Sequence, residues 1–288
     1  MIHILNYTPG AGGSRQLAGY LETRDAALKC CIVKKSMNKR ELNLSHPLVN
    51  LPGFLGFSPS SHCLERIRGL EDWGGFGAFI TDPLSWRSRS LADDSGLQEA
   101  DGQVIIHTGF PNRGFRAALK VLESKWARSP LPIIPSLMEA DLQLSLEMVR
   151  ELETRENIAA VNLMPPIDDL SEIQAWLAAL PDFGAELPLI FSLSADLILI
   201  WGKIFQSAGV TAFLPAATRG TLQRQGKPFS GRLYGAPQYS AARRLAWDCS
   251  RRGIALIAAG GVDSREKVEE LAEEHPLAIA IDLPLWRG

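Results

Sequence analysis

Short apolar runs bounded by turn residues recur along this chain, each followed by a stretch with helical periodicity, and any fold must accommodate that alternation. The runs at 77–81, 132–136, 159–164, 188–194, 209–214 and 253–259 are too short for helices and read as buried strands. Helices are predicted over 63–73, 115–127, 140–154 and 168–180, and in a segment through Trp247. Strands buried on both faces and separated by amphipathic helices belong to a parallel sheet. Their number predicts an α/β fold closed into a single (β/α)8 TIM barrel, with an open doubly wound sheet as the alternative. At 288 residues one such domain is sufficient.

The coherent pattern begins at Glu41, where residues 41–56 alternate and then run apolar into glycine, as an N-terminal hairpin leading into the first strand would. The domain is therefore placed at 41–288. Residues 1–40 form an N-terminal extension, with Met37 as an alternative start. Its Pro9-Gly-Ala-Gly-Gly13 lacks the Gly-Lys-Ser/Thr ending that gives a phosphate loop its cation and magnesium ligand.

Composition narrows the partners. With 30 basic and 32 acidic residues the net charge is −2, which offers nothing to nucleic acid or an anionic membrane. No run approaches the roughly 20 apolar residues of a spanning helix, and the start lacks the pattern of a signal peptide. Cys30, Cys31, Cys63 and Cys249 have no zinc or redox spacing, so no metal is implied. The expectation is a cytoplasmic protein that takes a small-molecule ligand.

In a barrel the chemistry lies on the loops after the strands, and several of these loops carry recognisable residues. They include Leu51-Pro-Gly-Phe-Leu-Gly56, Gly77-Ala-Phe-Ile-Thr81, Gly109-Phe-Pro-Asn-Arg-Gly114, Val161-Asn162, Ser230-Gly-Arg-Leu-Tyr-Gly-Ala-Pro237 and Gly260-Gly-Val262. Glycines like the last pair let backbone N–H groups close around a phosphate at a helix N-terminus, whereas an ordinary turn with Asp263 or Ser264 as helix cap would look the same. In order and spacing this set resembles the dihydroorotate dehydrogenase family, FMN-dependent barrels that oxidise dihydroorotate in pyrimidine biosynthesis. The resemblance runs from Glu41 to the C-terminus. It implies FMN contacts at Gly53, Gly56, Thr81, Asn162, Gly231, Gly260 and Gly261, and substrate contacts at Asn112, Arg113 and Thr218. A homodimer is implied as well.

Several family positions hold different chemistry here. Asp82 follows Thr81 where the family has a lysine, and Ser192 stands where a second lysine supports the flavin. The run Asn162-Leu-Met-Pro-Pro-Ile-Asp168 lacks the family's proton-removing cysteine or serine, and neither proline nor methionine can act as a base. Asp282 replaces the last-strand glycine step that binds the FMN phosphate. His107, Asp82 and Ser192 are the remaining catalytic candidates, with Arg113 and Arg232 as charged substitutes nearby; a hydrogen-bonded structural role is the alternative for His107. Two readings follow. One is a divergent FMN oxidoreductase acting on dihydroorotate or a related small molecule, and the other a catalytically silent barrel of the same ancestry that binds a metabolite or a partner.

Overall fold

The structure is a computed structural model that describes residues 41–53, 55–59, 75–100, 102–183, 186–224 and 226–282. The N-terminal extension and the helix expected at 63–73 lie outside the described residues. The first half contains β1 (Leu48–Asn50), β2 (Phe79–Leu84), β3 (Gly96–Ala100), β4 (Gln103–His107), α1 (Phe115–Ala127), β5 (Ile133–Leu137) and α2 (Leu142–Glu153). After these come β6 (Val161–Leu163), α3 (Leu170–Ala179), β7 (Leu189–Leu193), α4 (Ala195–Ala208) and β8 (Ala212–Pro215). The chain continues through β9 (Arg219–Arg224), β10 (Lys227–Gly235), α5 (Tyr239–Arg252), β11 (Ile257–Ala259), α6 (Arg265–Ala272) and β12 (Ala278–Ile281).

Eight strands are parallel, in one sheet ordered β2-β5-β6-β7-β8 and another ordered β1-β12-β11. Their successive residues alternate between two apolar layers, as period-2 strands must. Phe79, Ile133, Phe191 and Phe213 join the helices in an outer layer with Trp126, Trp201 and Phe205. Their neighbours Ile80, Ile134, Ile190 and Ala212 face an inner layer rich in small residues, including Ala78, Ala160, Ala278 and Ala280. Bulk outside and alanine inside suits strands converging on a narrow interior, where larger side chains would overpack.

The two parallel sheets meet at two seams, each with a single parallel bridge, Val49 to Ala78 and Phe213 to Leu256. The expected alternation of strand and helix is thus present, but a continuous ladder around the ring is not. At the first seam a side chain supplies what the backbone does not. Asn50, fully buried, accepts from the Ile80 N–H at 2.8 Å and donates to the Ile80 carbonyl at 2.7 Å, a peptide-like pair of bonds across the gap. A third bond, to the Leu51 carbonyl at 3.0 Å, fixes the amide's orientation.

Two sequence expectations change here. Residues 41–56 form no hairpin among the described residues; only Leu48–Asn50 is a strand, and it pairs in parallel with β12. The segment 230–237, expected as a loop, mostly belongs to β10, which pairs antiparallel with β4 and β9 in a separate sheet ordered β3-β4-β10-β9. Non-local pairing decides this: Gly231 lets β10 approach β4 so closely that a Cβ there would lie 2.5 Å from the Ile106 carbonyl oxygen.

Asn50→Ala should destabilise the protein by about 3 kcal/mol, because it leaves the buried Ile80 N–H and C=O unsatisfied. Urea denaturation followed by circular dichroism measures this. Asn50→Asp, which keeps an acceptor and loses the donor, should still leave a clear loss.

Candidate functional site

The antiparallel sheet is built from the connections after β2 and β8, and it lies over one end of the parallel strands. Val104, Ile106 and Tyr234 from this sheet pack into the inner layer, closing it off. Between sheet and strand ends lies a cavity of about 540 Å³. Its walls come from residues at or just after the C-terminal ends of β6, β7, β8, β11 and β12, with Leu233 and Tyr234 of β10 and the first turn of α5 opposite. This is the end of a parallel α/β array where ligands bind.

A row of buried polar side chains runs beneath this end from strand to strand. The Ser192 hydroxyl donates to Asn162 Oδ1 at 2.8 Å, and Asn162 Nδ2 donates to Ser136 Oγ at 3.0 Å. The Ser136 N–H donates to Thr81 Oγ1 at 3.1 Å, and the Thr81 hydroxyl donates to the Asp82 carbonyl at 2.9 Å. All four side chains are buried. Each would cost free energy alone, and the chain of bonds satisfies them together. Ser192, which also lines the cavity, therefore spends its proton on Asn162 and brings no charge.

Beside this row, Asp82 fastens the turn after β1. Its Oδ1 accepts from the Gly53 N–H at 2.9 Å, and its own N–H donates to the Gly56 carbonyl at 2.8 Å. Gly53 and Gly56 hold φ of 99° and 80°, which side-chain-bearing residues rarely adopt. A Cβ at Gly53 would press on Phe110, over whose ring the Arg232 guanidinium sits at 3.6 Å. Burial lowers the Arg232 pKa, while Tyr234 and Asp82 work in the opposite direction. Burial pushes the Tyr234 phenol up to about 12; Arg232 opposes the shift, and Asp282 and Asp82 add to it. Near neutral pH Tyr234 is a hydrogen-bond donor and no base.

The glycine step after β11 decides whether the phosphate of FMN fits. Gly260 and Gly261 have φ of 124° and 68°, and a Cβ on Gly261 would lie 2.6 Å from the Tyr239 nitrogen and 2.7 Å from the Gly235 carbonyl oxygen. The Gly261 N–H donates to Asp282 Oδ2 at 2.8 Å, and Asp282 is only 1% exposed at the cavity wall. The Ser264 side chain caps α6, and Lys267 is held by Asp263 at 2.6 Å and by the Gly261 carbonyl at 3.1 Å. A phosphate brought to this loop would meet a buried carboxylate on the amide it needs. The residues at this end do not fit FMN.

Of the residues singled out from the sequence, Ser192, Thr218, Gly260 and Asp282 line the cavity. Asn162 supports Ser192 from below, and Gly261 sits behind Gly260. Asn112 and Arg113 line a different cavity of about 470 Å³, with Phe57 and Leu84. The Asn112 amide is occupied, donating to Ser85 Oγ just after β2 and to the Phe110 carbonyl and accepting from the Gly114 N–H. Gly231 is a strand residue under steric demand. His107 pairs with Asp94 at 3.0 Å and stands edge-on to Phe229, away from the main cavity. Sequence reasoning missed Ser136 and Tyr234 as site residues. For Tyr234 the only signal was a lone phenol beside glycine in the run 230–237.

Among the described residues, no group of three His, Cys, Asp or Glu is placed to hold a metal ion, and no helix is long and apolar enough to cross a membrane. Asn162→Leu breaks two bonds of the buried row and should cost about 2 kcal/mol in urea denaturation. Tyr234 should show as a phenol that ionises near pH 12 in ultraviolet titration and disappears in Tyr234→Phe. Its folded pKa lies above the unfolded value of about 10, so its contribution is complete below that pH and is lost as pH rises toward the folded value. Wild-type stability should therefore fall more steeply than that of Tyr234→Phe in this window.

No protein-family model matches the chain. Over 122 residues, 42% of this chain and 38% of the relative, it is 29% identical to "Putative dihydroorotate dehydrogenase A (fumarate)" of Aeropyrum pernix. The matched stretch thus spans well under half of that protein. Two solved structures of DHODH from Eimeria tenella share the fold. The complex with ferulenol superposes with a TM-score of 0.63 at 13% identity, covering 94% of this chain and 87% of the other. The ligand-free form gives 0.60 at 14% identity, covering 94% and 90%. The chain thus shares the fold of these two structures along most of its length, and over 122 residues its sequence resembles that of a putative dihydroorotate dehydrogenase.

Proposed function

We propose that this protein is a (β/α)8 barrel of dihydroorotate dehydrogenase ancestry that binds a small molecule at its mouth and does not oxidise dihydroorotate by the family's usual chemistry. The cyclic order of its eight parallel strands supports the barrel reading. The observation that carries the functional reading is the lining of the 540 Å³ cavity. Its titratable groups are Asp168, Arg219, Tyr234 and Asp282, with no lysine, cysteine or histidine among the described residues. The family's two lysines and a cysteine base have no counterpart there, and of the two serines in the wall Ser192 donates its proton to Asn162 while Ser194 caps α4. What remains is a concave, largely apolar site with a few fixed polar groups, as small-molecule pockets are built.

A second reading, a flavin oxidoreductase with altered chemistry, is favoured by the place of the cavity at the strand ends and by Asn162 and Thr81 beneath it. Both would be retained if a flavin ring still lay across the mouth. The substrate would be dihydroorotate or a related small molecule.

Absorbance of the purified protein, followed by anaerobic addition of dihydroorotate, separates these readings. The expected result is less than stoichiometric flavin and no bleaching of added flavin by dihydroorotate. A stoichiometric flavin spectrum that dihydroorotate bleaches would establish the second reading and remove the first. The cavity itself is tested by Ala216→Trp, which places an indole in its wall. Any ligand that raises the melting temperature of the wild type through this cavity should lose that effect in the variant.

A further inference from the structure

The glycine step at 260–261 has the geometry of an anion-binding loop, and the chain has placed its own anion there. Gly260 and Gly261 both hold positive φ, and Gly261 sits where a Cβ would collide with backbone from two directions. A loop held this tightly presents its amide hydrogens in fixed positions, just ahead of a helix. The Gly261 amide points at a buried partner, Asp282 Oδ2, at 2.8 Å. Asp282 is the residue immediately after β12, so its position is set by the backbone pairing of β12 with β1 and β11, and its N–H is itself bonded to the Val262 carbonyl. It is nearly inaccessible, yet it forms part of the cavity wall beside Gly260.

We infer that Asp282 is a specificity-determining residue that occupies the anion position of the cavity, so that the site accepts ligands whose end at Gly260 is neutral, such as a hydroxyl, and rejects a phosphate monoester there. This deepens the small-molecule reading and rests on it only for the identity of the ligand. An entering phosphate would have to displace a charge-assisted hydrogen bond and then share a poorly solvated space with the displaced carboxylate. A hydroxyl meets neither cost and can donate to the same carboxylate.

Riboflavin and FMN differ only by this phosphate and serve as probes. The wild type should bind riboflavin at least as tightly as FMN by fluorescence quenching. Asp282→Asn keeps the side-chain shape and an acceptor for Gly261 while removing the charge, and Asp282→Gly empties the position. Each should shift the preference toward FMN by about tenfold, the scale of one charged interaction gained or relieved. Circular dichroism checks that each variant is folded, and the near-isosteric Asn variant covers a failure of the glycine one.

A second readout is independent of flavin: inorganic phosphate should raise the melting temperature of a folded variant beyond what matched chloride does, with no such excess in the wild type. A wild type that prefers FMN tenfold or more, or that phosphate stabilises specifically, would overturn the inference. So would folded variants that gain neither FMN preference nor phosphate stabilisation. If no flavin binds any of the proteins while the variants gain phosphate stabilisation, the role of Asp282 stands and a flavin-like ligand is excluded.

Discussion

The amide of Asn50 joins β1 to β2 where the backbone ladder does not. The eight parallel strands form two sheets, and at a seam with one bridge the Ile80 N–H and C=O face β1 with no backbone partner across the gap. A buried peptide without partners is among the costlier defects a fold can carry. Asn50 removes it by presenting, from a side chain, the same donor and acceptor that a strand would present. The turn that follows β1 carries Gly53 and Gly56, and Asp82, just beyond Ile80 on β2, binds both ends of that turn. One side of the cavity end is therefore set by the same seam.

The polar row from Ser192 through Asn162 and Ser136 to Thr81 solves a related problem at the mouth. Strand ends beneath a ligand site need polar groups, yet here they are buried, so each must find its partner in the next strand. The result is rigid and internally satisfied. It also consumes the hydrogen-bonding capacity that a catalytic group would need, and Ser192 is the clearest example. Asp282 is bound in the same way, its carboxylate held on the amide of Gly261. Both residues could be read from the sequence as departures from a family pattern. Their partners could not, because Ser192 and Asn162 are 30 residues apart, and Gly261 and Asp282 21 apart.

The described helices and most parallel strands were legible because period and length are local properties. The predicted helix at 115–127 is found with the same ends, and the strand predicted at 132–136 is shifted by one residue. The antiparallel sheet was not legible, since β3, β4, β9 and β10 come from two distant connections and are strands by virtue of pairing with one another. Asn112 and Arg113 were assigned to the substrate site from a well-matched motif, but that motif is pinned to the segment after β2 and lines a second cavity. A motif records which residues are present and in what order, and it does not record which way the loop is folded.

By itself the sequence determined the alternation of strand and helix, the resemblance to the dihydroorotate dehydrogenase family, and the absence of that family's lysines and base from their usual places, because each is written in residue type, spacing or order. Only the tertiary structure decided that an asparagine side chain bridges the first seam, that a tyrosine from the covering sheet stands in the mouth, and that Asp282 holds the amide of Gly261. The physical reason is common to all three. A buried hydrogen bond depends on which groups lie within about 3 Å of one another once water is excluded, and residues far apart in the chain acquire that proximity only when it folds.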